Sequence, residues 1–254
     1  MTKRLVPNLV DTTLDTLFDG KLQIYQPAKG YRFGIDPILL AAFCPAKEND
    51  KVLDLGCGVG TAFFCLVSRI KKLNGIGLEI NHELANLATQ NVHLNKLEKQ
   101  VEIITGDLLY PPKNFAPQSF DHIITNPPFF SNDPHNISPY TNKKGANMEC
   151  YAKLKDFIDF TFKYLKTRGT LTLIYRTDRL QEIMTLLPPN KWGEITIYPL
   201  WANQKGNSKL LLVRAKKLSK TPTIILKGLN LHSTNNKYTS AANNIIRKNK
   251  AIKG

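Results

Sequence analysis

From Lys51 onward, apolar runs of strand length alternate with segments of helical period, and this alternation limits the fold more than any other feature. KVLDLG precedes GTAFFCLVSRIKK, GIGLEI precedes HELANLATQNVHLNK, and VEIITGD and FDHIITNPPF come before YAKLKDFIDFTFKYLKTRG and TLTLIYR. Short, near-continuous apolar runs fit strands buried on both faces, whereas Leu84, Leu87, Ala88 and Leu94 share one face of a helix. Strand and helix in alternation imply a mostly parallel sheet with right-handed crossovers. Further on, the pattern predicts a helix over 178–187 and strands in EITIYPL and KLLLVRAKK. Gly206 and Asn207 lie between those strands and mark an edge hairpin.

A chain of 254 residues, 42% hydrophobic, can bury a sizeable core. Cys44, Cys57, Cys65 and Cys150 show neither a CxxC pair nor metal-ligand spacing, so they read as structural thiols of a reducing compartment. MTKRLVPNLVD has no apolar stretch of signal-peptide type, and no run approaches the ~18 apolar residues of a membrane span. The expected location is cytoplasmic, and the expected state monomeric. The net charge of +15 is unevenly placed: the last acidic residue is Glu194, and 201–254 holds twelve Lys and Arg and no acid. Such a one-sided field attracts polyanions, nucleic acid first.

Three regions are expected. Residues 1–47 form an extension with short strands around Asp19-Gly20 and a short helix, DPILLAAF. Residues 48–220 form the main domain, and 221–254 a basic C-terminal segment. Within the main domain, 131–149 is a long polar connection, a length that is commonly functional or disordered.

The chemistry gathers at strand ends. VLDLGCGVGT closes a strand and opens a helix; Gly56, Gly58 and Gly60 allow a tight turn and close backbone approach to a ligand at a helix N-terminus. The GxGxG spacing differs from the GxGxxG dinucleotide fingerprint. Glu79 closes GIGLEI, Asp107 closes VEIITGD, and Asn126 closes FDHIIT. Polar residues at the C-terminal ends of consecutive parallel strands define one crevice, where open α/β sheets bind ligands. Pro127 and Pro128 then end the strand, since neither donates a backbone hydrogen bond.

DLGCGVG, Glu79, Asp107 and NPPF together resemble the S-adenosyl-L-methionine (AdoMet)-dependent methyltransferases with a seven-stranded, mostly parallel Rossmann-like sheet, amino-methylating branch. In that fold, helices cover both faces and an antiparallel hairpin forms the C-terminal edge. LFDGKLQIYQPAKGYRFGIDPILLAAF, KLLLVRAKK and LNLHSTNNKYTSAANNIIRK are similar to segments of bacterial valine-tRNA adenine-N6-methyltransferases. The resemblance implies that Gly56, Cys57, Gly58 and Gly60 cradle the cofactor's methionine part and that Asp54 orients the loop. It places Glu79 and Ile80 at the ribose and Asp107 and Leu108 at the adenine, with Tyr31, Arg32 and Gly34 covering the methionine end. Asn126, Pro127, Pro128 and Phe129 would be catalytic, with Asn126 also bordering the cofactor. The implied partner is tRNA, met by Lys143, Lys144 and the 201–254 region.

An adenine amine is a poor nucleophile, because its lone pair is delocalised. The Asn126 side-chain oxygen and the Pro127 carbonyl, set on its two hydrogens, would favour a pyramidal nitrogen and the charge growing there. Asn takes no proton, so such a site works by positioning and electrostatics. Phe129 would stack on the base, a contact worth about 1–3 kcal/mol; Phe130 reads as core. Two other planar amines suit the same geometry: the side-chain amide of a release-factor glutamine and a guanine amine of ribosomal RNA. From another class, the chain would be an RNA-binding module on an inactive methyltransferase fold. Where relatives carry a His-Glu pair after the polar loop, Met148 and Glu149 stand here. His82, His93, His122, His135 and His232 show no metal spacing, so no metal is expected.

Overall fold

Strands β3 (Lys51–Leu55), β4 (Asn74–Glu79), β5 (Val101–Thr105) and β6 (Phe120–Thr125) run parallel in the order β6-β3-β4-β5. These belong to a computed structural model that describes residues 11–30, 32–113, 115–128, 152–203 and 206–252. Their registers pair Leu55 with both Leu78 and Thr125, and Glu79 with Thr105, so the C-terminal ends of all four strands meet at one edge. Interior residues such as Leu53 and Ile123 are fully buried, as continuous apolar runs require of strands covered on both faces.

The other half of the sheet is mixed. β7 (Leu165–Arg176) lies parallel to β6, β9 (Leu210–Lys217) runs antiparallel between β7 and β8 (Trp192–Trp201), and so β8 points the same way as β7. These seven strands are the expected sheet with its edge hairpin. Two strands of two residues, β10 (Ile224–Ile225) and β11 (Leu229–Asn230), both pair with β8 and extend it.

Helices α2 (Thr61–Arg69), α3 (His82–Leu94), α4 (Leu154–Tyr164) and α5 (Leu180–Leu186) connect the strands. The predicted helix over 178–187 divides into a 3₁₀ turn, Thr177–Arg179, followed by α5. At the other end of the chain, β1 (Thr12–Leu17) and β2 (Leu22–Pro27) form a separate antiparallel hairpin, followed by α1 (Asp36–Phe43). The hairpin is fastened to the main body by two buried or half-buried amides of α3 and its cap. Asn91 and Asn95 each exchange hydrogen bonds with the β2 backbone, at Tyr25 and Gln23.

The C-terminal segment also packs on the body. Ala242 and Ile245 of α6 (Ser240–Ile246) and Ile252 are buried in the same core cluster as α1, and the Ile252 amide donates to the Ala42 carbonyl at 2.8 Å. Of the cations in 201–254, three on β9 are committed internally: Arg214 stacks on Phe43, Lys216 pairs with Glu194, and Lys217 donates to the Leu165 carbonyl. Lys209, Lys220, Lys227, Lys237, Arg247, Lys248 and Lys250 are exposed. Among the described residues, no helix is long and apolar enough to cross a membrane.

Candidate active site

The loop between β3 and α2 is built on left-handed backbone: φ is +76° at Gly56, +56° at Gly58 and +89° at Gly60. Side chains oppose this conformation, and at Gly60 a Cβ would also lie 2.4 Å from the Phe64 ring. The amides of Gly56 and Cys57 both donate to the Leu78 carbonyl, at 2.8 and 3.1 Å, which closes the loop back over β4. Cys57 is buried, and a Cβ at Gly77 would lie 2.8 Å from its Sγ.

Glu79 is 1% exposed, and its two oxygens accept from the amides of Gly58 and Asn81, each at 2.8 Å. Burial raises its pKa, and the backbone donors oppose that rise. A carboxylate offers about four lone-pair sites, so two fixed donors aim it and leave acceptor capacity for hydroxyl groups. Asp54, on β3, is 2% exposed; its Oδ2 has no hydrogen-bond partner, and burial, reinforced by the charge of Glu79, pushes its pKa up to about 7.

Among the described residues, neither carboxylate forms an ion pair. Two buried carboxyl groups without a protein cation suit a ligand that carries positive charge.

Asn126 faces the same cleft. It lines one pocket with Asp54, Gly56 and Cys57, and α1 contributes Pro37 and Leu40. The Thr125 hydroxyl donates to the Leu55 carbonyl at 2.8 Å, tying the end of β6 to the end of β3 immediately before each functional segment. Pro127 is buried and Pro128 half-buried.

The expected adenine end lies at the next two strand ends. Ile80 is 54% exposed there, an unusual setting for a large apolar side chain. Asp107 is half-buried and its Oδ1 accepts from the Leu109 amide at 2.8 Å; Leu108 packs against the core.

The upstream block adjoins the hairpin. Arg32 is engaged by the hairpin, donating to the Thr13 hydroxyl, the Pro27 carbonyl and the Asp15 carboxylate. Gly34 is exposed, with nothing within 4 Å of a Cβ placed there. Tyr31, Phe129, Lys143 and Lys144 lie outside the described residues.

Two contributions were not anticipated. Pro37 and Leu40 were read only as helix-forming residues, yet they border the cleft. Asn91 is fully buried; its amide nitrogen donates to Tyr25 O at 2.9 Å and Val59 O at 3.1 Å, while its oxygen accepts from Tyr25 N at 2.7 Å. A signal was available for it: Asn91 lies four residues after Leu87, on the apolar face of α3, where a polar side chain needs partners. Among the described residues, no group of His, Cys, Asp and Glu is arranged to hold a metal ion.

The family model "Methyltransferase small domain" matches residues 35–185, more than half of the chain. A tRNA1(Val) (adenine(37)-N6)-methyltransferase of Bacteroides thetaiotaomicron is 27% identical over 156 residues, 61% of this chain and 63% of that protein. The release factor glutamine methyltransferase of Fusobacterium nucleatum is 26% identical over 175 residues, 66% of this chain and 48% of that protein. The chain thus matches less than two thirds of the length of these curated relatives. Among solved structures, a predicted O-methyltransferase of Agrobacterium tumefaciens superposes with a TM-score of 0.71 at 22% identity. The superposition covers 86% of this chain and 98% of the other, a likeness of fold.

Proposed function

The chain belongs to the methyltransferase small domain family, and from that premise we propose that it moves a methyl group from AdoMet to the exocyclic N6 amine of an adenosine in tRNA. The observation that carries this reading is the shared cleft: Asn126, the amine-binding candidate, borders the same pocket as Asp54 and the glycine loop. The valine-tRNA relatives and the exposed lysines of the C-terminal region support tRNA as the substrate.

AdoMet supplies an activated methyl on a sulfonium. The residues present fit it: buried Asp54 and Glu79 offset its positive charge, Glu79 retains acceptors for ribose hydroxyls, and the left-handed glycines bring backbone close to the methionine part. Ile80 offers an apolar surface for the adenosyl group, and Asp107 and Leu108 border its base. Tyr31, Arg32 and Gly34 remain candidates for the methionine end, Arg32 through the hairpin it braces.

At the acceptor side, Asn126 Oδ1 and the Pro127 carbonyl receive the two hydrogens of the amine. This orients the nitrogen lone pair towards the cofactor and stabilises positive charge on nitrogen as the bond forms. Proline at 127 and 128 fixes φ, so that acceptor pair is held without a flexible joint. Phe129 is assigned to stacking on the base. Asn126 takes no proton, so the surplus proton leaves to solvent after transfer.

Labelled AdoMet with unmodified valine tRNA tests the proposal: label should enter one adenosine adjacent to the anticodon. An unlabelled tRNA would remove the substrate assignment. The Fusobacterium relative favours a glutamine amide as the second reading, so release factor belongs in the same assay. Ribosomal RNA completes it, for the guanine amine.

A further inference from the structure

At the far end of α2 from the cofactor loop, three segments distant in sequence enclose a pocket of about 350 Å³. The β1–β2 turn contributes Asp19 and Lys21, the last turn of α2 contributes Ser68 and Arg69, and the chain after α6 contributes Arg247 and Lys248. A water occupies about 30 Å³ of liquid, so the space exceeds what a hydrated phosphate group needs. Four cations face one carboxylate, and none of the four forms an ion pair among the described residues. Arg69 is the most confined: Nη2 donates to Ala41 O at 2.8 Å, while Nη1 is buried with no hydrogen-bond partner.

The pocket is a fixed structure rather than a chance meeting of long side chains. Asn249 holds the C-terminal segment against α2, its amide donating to the Cys65 carbonyl at 2.9 Å and to the Ser68 hydroxyl at 2.7 Å. Cys65 O also accepts from the Ser68 hydroxyl at 3.0 Å, so the last turn of α2 and the C-terminal segment share one hydrogen-bonded group. Ile252 anchors the chain a few residues on. Lys21, Arg247 and Lys248, exposed and without ion pairs among the described residues, line one space beside the half-buried Arg69, a set of cations that fits phosphate oxygens.

We propose that this pocket grips a backbone phosphate of the RNA substrate, a second point of attachment remote from the methyl-transfer cleft. The inference rests on the RNA reading above. α2 spans nine residues, about 13 Å at 1.5 Å per residue, so RNA seated at both points follows the outer surface of the domain.

The test measures binding of unmodified valine tRNA, by filter retention over a range of salt, to the full chain and to a Lys21→Glu/Arg247→Glu/Lys248→Glu variant. Arg69 is left intact because it braces α1. A control reverses Lys99, Lys163 and Lys191, exposed lysines that lie outside 201–254 and do not line the pocket. The pocket variant should lose at least tenfold in affinity and ~0.7–0.9 in the slope of log K against log salt, the loss of one phosphate contact. AdoMet affinity, measured by calorimetry, should be unchanged in both variants, which also verifies folding. Wild-type-like binding by the pocket variant, or equal loss in the control, overturns the pocket assignment while the RNA reading stands. Absence of salt-dependent RNA binding in the wild type overturns both.

Discussion

Asn91 donates a hydrogen bond to the Val59 carbonyl at 3.1 Å, so one buried amide of α3 is tied to the glycine loop while it also grips Tyr25 of the hairpin. The side chain is not among the candidate cofactor or acceptor residues, yet it sets the position of the glycine loop against the hairpin. It is a positioning residue.

Asn91→Leu preserves approximate size and removes every one of those bonds, leaving buried backbone groups of Tyr25 and Val59 unmet. A loss of about 2–4 kcal/mol is expected in urea unfolding. AdoMet binding should weaken more than turnover at saturating cofactor falls, a split that plain destabilisation does not produce.

Asn126→Ala removes one oriented acceptor from the transition state and little from the ground state. Single-turnover rates should fall by about a hundredfold or more, with AdoMet affinity nearly kept. An Asn126→Ala protein at full rate would falsify the acceptor mechanism.

Asp54 titrates near 7 in the folded protein against an ordinary 3.8, so the native state holds a proton that the unfolded chain has lost. Its contribution to stability is complete below about pH 4 and is lost as pH rises through 7. Cofactor-free protein should therefore unfold at lower urea at pH 8 than Asp54→Asn protein, relative to each at pH 5. A cationic ligand favours ionised Asp54, so AdoMet binding at pH 6 should release protons, seen as heats that vary with the buffer's ionisation enthalpy.

Gly60→Ala meets two obstacles, a φ of +89° and a ring 2.4 Å from the added carbon. The backbone alone costs about 1–2 kcal/mol, and displacement of Phe64 adds to it. Loss of AdoMet binding together with a lowered unfolding midpoint is expected. Gly34→Ala, at an exposed position with open space, should leave the unfolding midpoint unchanged.

The parallel sheet was legible because its strands are buried on both faces and leave near-continuous apolar runs; Val52–Leu55 and His122–Thr125 are buried throughout. The strand-end residues followed from that reading, and Asp54, Gly56, Cys57 and Asn126 share one cleft. β10 and β11 were not legible: two residues carry no periodicity, and their pairing with β8 is fixed by tertiary contact. KTRG read as a helix end, yet β7 begins at Leu165, whose partner across the sheet is Phe120. The role of Arg32 was also hidden, because a sequence shows an arginine near a site without showing Asp15 and Thr13 beside it.

Cys57 gives the glycine loop a chemical clock. Its thiol is buried, and burial together with the neighbouring carboxyls holds its pKa well above the ordinary thiol value. The closed loop therefore presents almost no thiolate to an alkylating reagent. Modification at that one sulfur then proceeds only as often as the loop opens, so its rate, followed on the Cys57 peptide, counts those openings in the working protein.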